Sequence, residues 1–362
     1  MKRPTILALY LPQYHPIPEN DEWWGKGFTE WTNVIKAKPL FRGHYQPKVP
    51  TELGVYDLRL SESREEQAKL AQESGVDAFA YWHYWFAGKQ LIERPFNEVL
   101  ESGKPDFPFC LFWANHSWLA KTWDKNKPNK MLMEQTYPGE DDYINHFNYA
   151  LKAFKDHRYV KIDNMPVFGI YKAEDIPNLD LMKTIWNRLA KENGFDGIYF
   201  MSYSFNLKNY KKCKSLGLNA NILDVKDEAD GMANPFNDFL TKLMNKLKLN
   251  SFYRLKLADY KKYIKIAEKI YQEDENATIC ILPNYDHSPR SGKRAPIMID
   301  STPENWKILL VKIKNILANR GKNNDFLIIK SWNEWGEGNY LEPDIKYGRG
   351  YLEAIKEIFG TK

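Results

Sequence analysis

Strand-length apolar segments alternate with helical patterns along the whole chain, and this alternation restricts the fold more than any other feature. The eight apolar segments are residues 5–11, 76–85, 107–115, 165–171, 197–203, 218–225, 277–286 and 326–334. The helical patterns are residues 58–74, 91–102, 141–154, 179–192 and 303–319, shorter stretches after the fifth and sixth segments, and a last helix at 349–358. Strands that alternate with helices run parallel, and eight such units close most readily into a barrel. The sequence therefore predicts an α/β fold, the (β/α)8 TIM barrel.

A doubly wound open sheet is the alternative for such a chain. That fold normally carries a glycine-rich fingerprint after its first strand, whereas here the first segment continues into PQYHPIPEN, residues 12–20. No internal repeat, low-complexity tract or linker divides the 362 residues. We therefore predict a single catalytic domain over residues 1–362, with an aromatic-rich insertion at residues 20–34 in the first βα loop.

Charge and the spacing of special residues exclude several classes of function. The net charge is only +5, and the lysines follow predicted helix faces, so we expect no nucleic-acid partner. The three cysteines lie far apart without a CxxC pair, and the seven histidines form neither HExxH nor HxH. We therefore expect no disulfide framework, no metal and no cofactor. There is also no P-loop, nucleophile elbow or Asp-x-Asp pair.

The N-terminal apolar segment raises the question of a signal peptide. It is short before Pro12, and no small-residue cleavage site follows it. No other apolar stretch approaches the length that crosses a bilayer. We therefore expect no transmembrane segment and a cytoplasmic location.

Aromatic residues are unusually frequent, at 15% of the chain with 12 tryptophans. Sugar rings present C–H faces that stack on flat aromatic rings, while their hydroxyls bond polar groups at the edge. This composition indicates a carbohydrate-binding protein. A tryptophan-rich core is the alternative explanation.

Polar and aromatic side chains follow the ends of the predicted strands. In a (β/α)8 barrel the C-terminal strand ends form one rim, and that rim carries the active site. The candidate sugar-binding residues at the rim are Tyr14, His15, Trp82, His83, Tyr84, Trp113, Asn115, His116, Tyr203, Tyr285, Asp286, Arg290, Trp332, Asn333 and Trp335. The first-loop insertion adds Trp23, Trp24, Glu30 and Trp31. The alternatives are a hydrophobic cluster that pins the insertion, a turn held by Asp286, and structural roles for His83 and His116.

Two glutamates, Glu334 and Glu337, come at the end of the last predicted strand, next to Trp332 and Trp335. Glycoside hydrolysis needs one carboxyl group to protonate the leaving oxygen and a second to support the other half of the reaction. A partly desolvated site separates the pKa values of such a pair. We predict that both glutamates are catalytic. The alternative is a structural pair that bonds backbone amides or Arg349.

Four segments together make the chain resemble a known family. They are WWGKGFTEWTNV (23–34), YWHYWF (81–86), NYDHSPR (284–290) and SWNEWGEGNYLEP (331–343). The chain resembles the glycoside hydrolase family 99-like proteins, also called WbsX-type, of polysaccharide and O-antigen (lipopolysaccharide) biosynthesis. The resemblance runs from Tyr10 to Tyr351 and implies a (β/α)8 enzyme that cleaves α-mannosidic bonds within a chain, with retention and without metal.

By position, the resemblance assigns a separate role to each glutamate. Glu334 is the base that deprotonates the 2-hydroxyl of the substrate, which attacks the anomeric carbon to give a 1,2-anhydro sugar. Glu337 is the acid/base, and in that role we expect Trp332 and Trp335 to raise its pKa by excluding water. The expected function is an endo-acting glycoside hydrolase for α-mannoside- or α-rhamnoside-like linkages of a bacterial surface polysaccharide, working beside membrane-proximal biosynthetic machinery. A glycosyltransferase or transglycosylase, and a non-catalytic glycan-binding protein, are the alternatives.

Overall fold

Eight parallel strands form a closed barrel in chain order in the computed structural model, which describes residues 3–120, 130–230, 255–321 and 326–360. The strands are β1 (Thr5–Tyr10), β2 (Ala78–His83), β3 (Phe109–Trp113), β4 (Met165–Ile170), β5 (Tyr199–Ser204), β6 (Ala220–Asp224), β7 (Ala277–Ile281) and β8 (Phe326–Ile329). The last strand pairs with the first, with Phe326 opposite Thr5, and this pairing closes the sheet. The predicted barrel is confirmed.

A helix follows each strand on the outside of the barrel. These helices are α1 (Ser61–Ser74), α2 (Arg94–Ser102), α3 (Glu140–Phe154), α4 (Leu179–Glu192), α5 (Leu207–Lys214), α6 (Tyr260–Glu273), α7 (Pro303–Arg320) and α8 (Gly350–Phe359). The start of α7 follows local chemistry, because the Thr302 side chain accepts a bond from the Asn305 amide and proline occupies the first turn. No helix within the described ranges is long and apolar enough to cross a membrane.

The strands are apolar on both faces because one face lines the barrel interior and the other meets the helices. Residues Ile6 to Tyr10 of β1 are all at most 1% exposed. Gly169 of β4 is required by packing, since a Cβ at this position would overlap the ring of Phe112 on β3. The strands β3 and β4 therefore pack closely at this point, below the loops that follow their C-terminal ends.

The loops at the C-terminal ends of the strands contain extra short elements. The first-loop insertion forms two helices, Pro18–Trp24 and Glu30–Lys36. A short helix, Ser288–Ser291, follows β7, and a 3₁₀ turn, Trp335–Glu337, follows β8. The second insertion helix, the Ser288–Ser291 helix and the 3₁₀ turn contact one another. Three loops that are distant in sequence therefore meet over one side of the barrel.

Candidate active site

A cavity of about 640 Å³ lies at the C-terminal end of the barrel, between the first-loop insertion and the loop after β8. The insertion contributes Trp24, Phe28 and Glu30 to its wall, and the last loop contributes Glu334 and Glu337. The other lining residues come from the ends of several strands and include Leu11, Trp82, Tyr84, His116, Tyr171 and Lys330. The wall thus combines aromatic surface with a small number of charged groups, as carbohydrate sites require.

One guanidinium joins three carboxylates in this wall. Arg290 donates from Nη2 to Glu334 at 2.6 Å, from Nη1 to Glu337 at 3.0 Å and from Nε to Glu30 at 3.1 Å. His287 lies one turn away on the same loop, with Nε2 3.7 Å from Glu337 Oε1. Within the described residues no group of three or more His, Cys, Asp or Glu side chains is arranged to hold a metal ion. The three glutamates surround a guanidinium instead.

The two glycines of the last loop allow this arrangement for different reasons. Gly336 lies against the Glu30–Arg290 ion pair, and a Cβ there would overlap Glu30 Oε2 and stand 2.8 Å from Arg290 Nε. Gly338 has φ of +53°, a left-handed conformation that glycine adopts without strain. Glycine is thus needed at Gly336 by the close approach of the ion pair and at Gly338 by the turn.

Burial and charge separate the pKa values of the two glutamates in opposite directions. Burial raises the pKa of Glu334 to about 7, because the loss of hydration outweighs the attraction of Arg290. Burial acts on Glu337 as well, but Arg290, Lys330 and His287 together outweigh it and lower the pKa to about 2. The prediction that neighbouring tryptophans raise the pKa of Glu337 is therefore wrong, because cations collect around this carboxylate and the raised pKa belongs to Glu334.

Alternation along β2 decides which of its terminal residues face the cavity. Trp82 and Tyr84 line it, and Trp118 packs edge-on against Tyr84 with ring centroids 5.2 Å apart. His83 points the other way because successive side chains leave opposite faces of a strand. Its Nε2 lies 2.8 Å from Nε2 of His146 on α3, so this histidine has the structural role.

The predicted site residues divide into two sets. Those that line the cavity are Trp24, Glu30, Trp82, Tyr84, His116, Arg290, Glu334 and Glu337. Trp23 lies outside the lining and is half-buried. Those that are buried behind the wall are Tyr14, His15, Trp31, His83, Trp113, Asn115, Tyr203, Tyr285, Asp286, Trp332, Asn333 and Trp335. The first set faces the cavity, and a sugar contact by the second set stays a prediction.

Hydrogen bonds give the residues behind the wall a positioning role. Asn333 accepts from the Leu11 amide at 2.7 Å, and Tyr14 donates to the Asn333 carbonyl at 2.5 Å, which ties the last loop to the first strand. Asp286 accepts from the Ser288 amide at 3.0 Å and so holds a local turn, and it also accepts from Gln46 at 2.6 Å and lies 2.9 Å from His44 Nε2.

Two charged residues that the sequence argument did not single out lie close to the site. Glu342 is fully buried and accepts from Trp335 Nε1 at 2.6 Å, Gln67 at 2.6 Å and Tyr56 at 2.9 Å, and burial raises its pKa to about 7. Lys330 lines the cavity 3.4 Å from Asp224 Oδ2. A lysine directly after the buried strand FLII is a signal that could have identified Lys330, whereas Glu342 in NYLEP has no comparable signal.

The family described as glycosyltransferase WbsX has a sequence model that matches residues 6–355. The chain belongs to this WbsX family. The resemblance inferred from the four segments is thereby confirmed. The WbsX chain is also 32% identical over 354 residues to the uncharacterized protein WxcX of Xanthomonas campestris pv. campestris, in two strains. That match covers 98% of this chain and 49% of WxcX, so the chain spans about half the length of these relatives.

Solved structures share the fold at low sequence identity. A GH99 endo-α-mannosidase from Bacteroides thetaiotaomicron, in complex with Bis-Tris propane, aligns with a TM-score of 0.57 and 13% identity, covering 98% of the WbsX chain and 95% of its own. A glycoside hydrolase-like protein aligns with a TM-score of 0.59 and 13% identity, covering 100% and 95%. The WbsX chain therefore has the barrel fold of a family 99 endo-α-mannosidase.

Proposed function

We propose that this WbsX protein is a retaining glycoside hydrolase that uses Glu334 and Glu337 and needs no metal. The observation that supports this most strongly is the pair of glutamates in one aromatic-walled cavity, bonded to the same guanidinium, with pKa values shifted in opposite directions. Paired carboxyl groups whose environments separate their pKa values are typical of an acid and a base with different tasks.

In the proposed reaction the substrate supplies its own nucleophile. Glu334 takes the proton of the sugar 2-hydroxyl, O2 attacks the anomeric carbon as the bond to the leaving oxygen breaks, and Glu337 protonates that oxygen. Water then opens the 1,2-anhydro sugar at the anomeric carbon, Glu337 accepts its proton, and Glu334 returns a proton to O2. The two inversions give net retention, and the first requires O2 trans to the leaving group, as in α-mannosides and α-rhamnosides.

The pKa of Glu334 suits the base in this scheme. A carboxylate with a pKa of about 7 is a stronger base towards a hydroxyl than an ordinary glutamate, and it is largely ionised at slightly alkaline pH. A near-neutral pKa is the compromise that favours proton transfer at physiological pH.

The pKa of Glu337 in the unliganded protein does not suit an acid, and the proposal includes the step that corrects it. Arg290 Nη1 lies 3.0 Å from Glu337 and helps to keep it ionised. A sugar that enters the cavity excludes water and separates Glu337 from the guanidinium, and both changes raise the pKa of a buried carboxyl group. Glu337 then binds the proton that it later donates.

The proposed substrate is an α-mannoside- or α-rhamnoside-like linkage inside a bacterial surface polysaccharide such as an O-antigen, cleaved in the cytoplasm beside membrane-proximal biosynthetic machinery. This part of the proposal follows from the family resemblance. A glycosyltransferase is the second candidate, because the family itself is described as a glycosyltransferase.

The deciding experiment compares two incubations of the same protein. In one, the purified polysaccharide is incubated in water and new reducing ends are measured; in the other, sugar nucleotides and a lipid-linked acceptor are supplied and chain extension is measured. We expect new reducing ends only, lost in both Glu334→Gln and Glu337→Gln. Extension of the acceptor identifies a transferase, and binding of glycan without either reaction identifies a glycan-binding protein.

A further inference from the structure

Asn20 is a buried amide on the first insertion helix, Pro18–Trp24, and it lines the cavity. Its side chain is 0% exposed, yet neither Oδ1 nor Nδ2 has a hydrogen-bond partner among the described residues. Buried amides in folded proteins are nearly always paired, because an unpaired one keeps the full penalty of lost hydration. Nothing that the structure describes around Asn20 offsets that penalty.

Ser331, at the other side of the cavity, has the same property. It follows β8, lines the cavity and is 1% exposed, and its hydroxyl has no partner within the described part of the chain. Its backbone amide donates to Asn339 Oδ1 at 2.9 Å, so the residue is held in place without use of the hydroxyl. Two buried polar groups from two distant loops therefore line the same cavity unpaired.

Aromatic surface lies beside Asn20 on the same insertion. Trp24 comes four residues later on the same helix face, and its ring packs against Phe28 with centroids 6.0 Å apart. Trp24 and Phe28 both line the cavity. An unpaired amide next to flat apolar rings matches a sugar, which presents hydroxyls at its edge and C–H groups on its face.

We propose that Asn20 binds two adjacent free hydroxyls of one sugar residue of the glycan, with Ser331 bonding a further oxygen of the same substrate. An amide places an acceptor beside a donor, and adjacent hydroxyls match this pair: one O–H donates to Oδ1 while the other oxygen accepts from Nδ2. A sugar residue that is deoxygenated, acylated or linked at either hydroxyl leaves one end of the amide unpaired and therefore binds more weakly. This inference rests on the proposed function, since it takes the cavity to hold a glycan.

The binding test uses Asn20→Leu in a Glu337→Gln background, so that turnover does not consume the ligand. The probes are the methyl glycosides of α-linked mannobiose and rhamnobiose, together with monodeoxy forms that lack one of two adjacent hydroxyls, with affinity measured by calorimetry. We expect Asn20→Leu to weaken binding of an intact disaccharide by about tenfold or more. One monodeoxy form should already bind weakly to the parent, and Asn20→Leu should not change its affinity further. Ser331→Ala should weaken binding of the same disaccharide.

A stability measurement separates binding from a structural role. Asn145→Leu, on an exposed position of α3, makes the same change in a helix and serves as the control. If the Asn20 amide is kept for a ligand, Asn20→Leu does not lower the unfolding temperature below that of Asn145→Leu, because an unpaired polar group has been removed. A larger drop for Asn20→Leu shows that the amide stabilises the fold and overturns the proposal.

The remaining outcomes are also decisive. Equal affinity of parent and Asn20→Leu for the disaccharides, or no binding by the parent, overturns the proposal. Hydrolysis is measured in a separate experiment, in which Glu334→Gln and Glu337→Gln are compared with the unaltered protein and Asn20 is retained in all three. Asn20-dependent binding without any hydrolysis refutes the hydrolase and leaves the sugar site standing, whereas hydrolysis that Asn20→Leu does not change refutes the sugar site alone.

Discussion

Arg290 Nη2 lies 2.6 Å from Glu334 Oε1 although the pKa of Glu334 is raised to about 7. The shortest bond of the guanidinium thus goes to a carboxylate whose charge is unfavourable to hold, because burial and the nearby charges of Glu337 and Glu30 oppose ionisation. One guanidinium cannot neutralise three carboxylates. A proton at Glu334 therefore decides the charge of the site close to neutral pH.

The first prediction is a pH dependence of catalysis set by Glu334. If this residue is the base, kcat/KM should rise with pH and level off above about 7, because only the ionised carboxylate accepts the hydroxyl proton. The measurement is kcat/KM between pH 5 and pH 9 for an aryl glycoside whose good leaving group needs no proton from Glu337, on protein shown to be folded throughout. A constant value between pH 5 and pH 8 would show that Glu334 does not titrate in the free enzyme.

The second prediction concerns stability. The folded-state pKa of Glu334, about 7, lies above its ordinary value of 4.5, so the fold disfavours the ionised form. The contribution of this group to stability therefore falls as pH rises from about 4.5 to about 7 and stays low above that range. Glu334→Gln should raise the free energy of unfolding at pH 8 by on the order of 1–3 kcal/mol and have little effect at pH 4.5. Denaturant unfolding at both pH values measures this, and destabilisation at pH 8 would contradict it.

The third prediction separates two tryptophans by role. Trp335 is fully buried and donates to Glu342 at 2.6 Å, so Trp335→Phe should lower the free energy of unfolding by about 1–3 kcal/mol. Trp24 is 49% exposed at the cavity, so Trp24→Ala should leave stability within about 0.5 kcal/mol and weaken glycan binding. Thermal unfolding and glycan affinity are measured for both variants. The reverse pattern would place the sugar against Trp335.

The fourth prediction tests the close approach at Gly336. Gly336→Ala places a Cβ into the Glu30–Arg290 ion pair, which should destabilise the protein by about 1–3 kcal/mol and displace Arg290 from Glu334 and Glu337. Adding Glu30→Ala removes the nearest overlapping atoms and should recover part of the lost stability. Unfolding free energies of the two single variants and the double variant give the coupling. Strict additivity would show that Gly336 and Glu30 do not interact.

The fifth prediction divides the chemistry between the two glutamates. An aryl glycoside with a good leaving group needs no proton donor, so Glu337→Ala should lose much less rate on it than on the polymer, where acid catalysis contributes roughly 10²–10⁴-fold. Glu334→Ala should lose rate on both substrates, and a 2-deoxy aryl glycoside should be inert to the unaltered enzyme. If Glu334→Ala is the variant spared on the aryl glycoside, the two roles are exchanged; brisk turnover of the 2-deoxy substrate excludes participation of O2.

The barrel could be predicted because each βα unit is encoded locally, by an apolar segment of strand length followed by a helical pattern. The positions of strand ends could also be predicted, and with them the general location of Glu334 and Trp82. Side chains alternate between the two faces of a strand. This alternation could have predicted that Trp82 and Tyr84 point to one face and His83 to the other. Helix α3 carries His146, the partner of His83, and that pairing depends on how the helix docks.

The bond network of Arg290 could not be predicted from the sequence. Its partners lie 260, 44 and 47 residues away on other loops, and loop conformation depends on tertiary contacts that no local pattern encodes. For the same reason the sequence could not show that cations would gather at Glu337 and reverse its expected pKa shift. The sequence also could not show that Trp335 is buried behind the site, because its bond to Glu342 depends on the conformation of the last loop.

The pairing of β8 with β1 also has a consequence for synthesis of the protein. Glu30 emerges from the ribosome about 300 residues before Glu334, and Arg290 can join them only after the final strand has docked on the first. Contacts of such separation form late, because the long intervening loop must be closed first. A growing chain therefore holds Glu30 and Glu334 apart until the ring of strands is complete, and a partly made polypeptide lacks the cluster centred on Arg290.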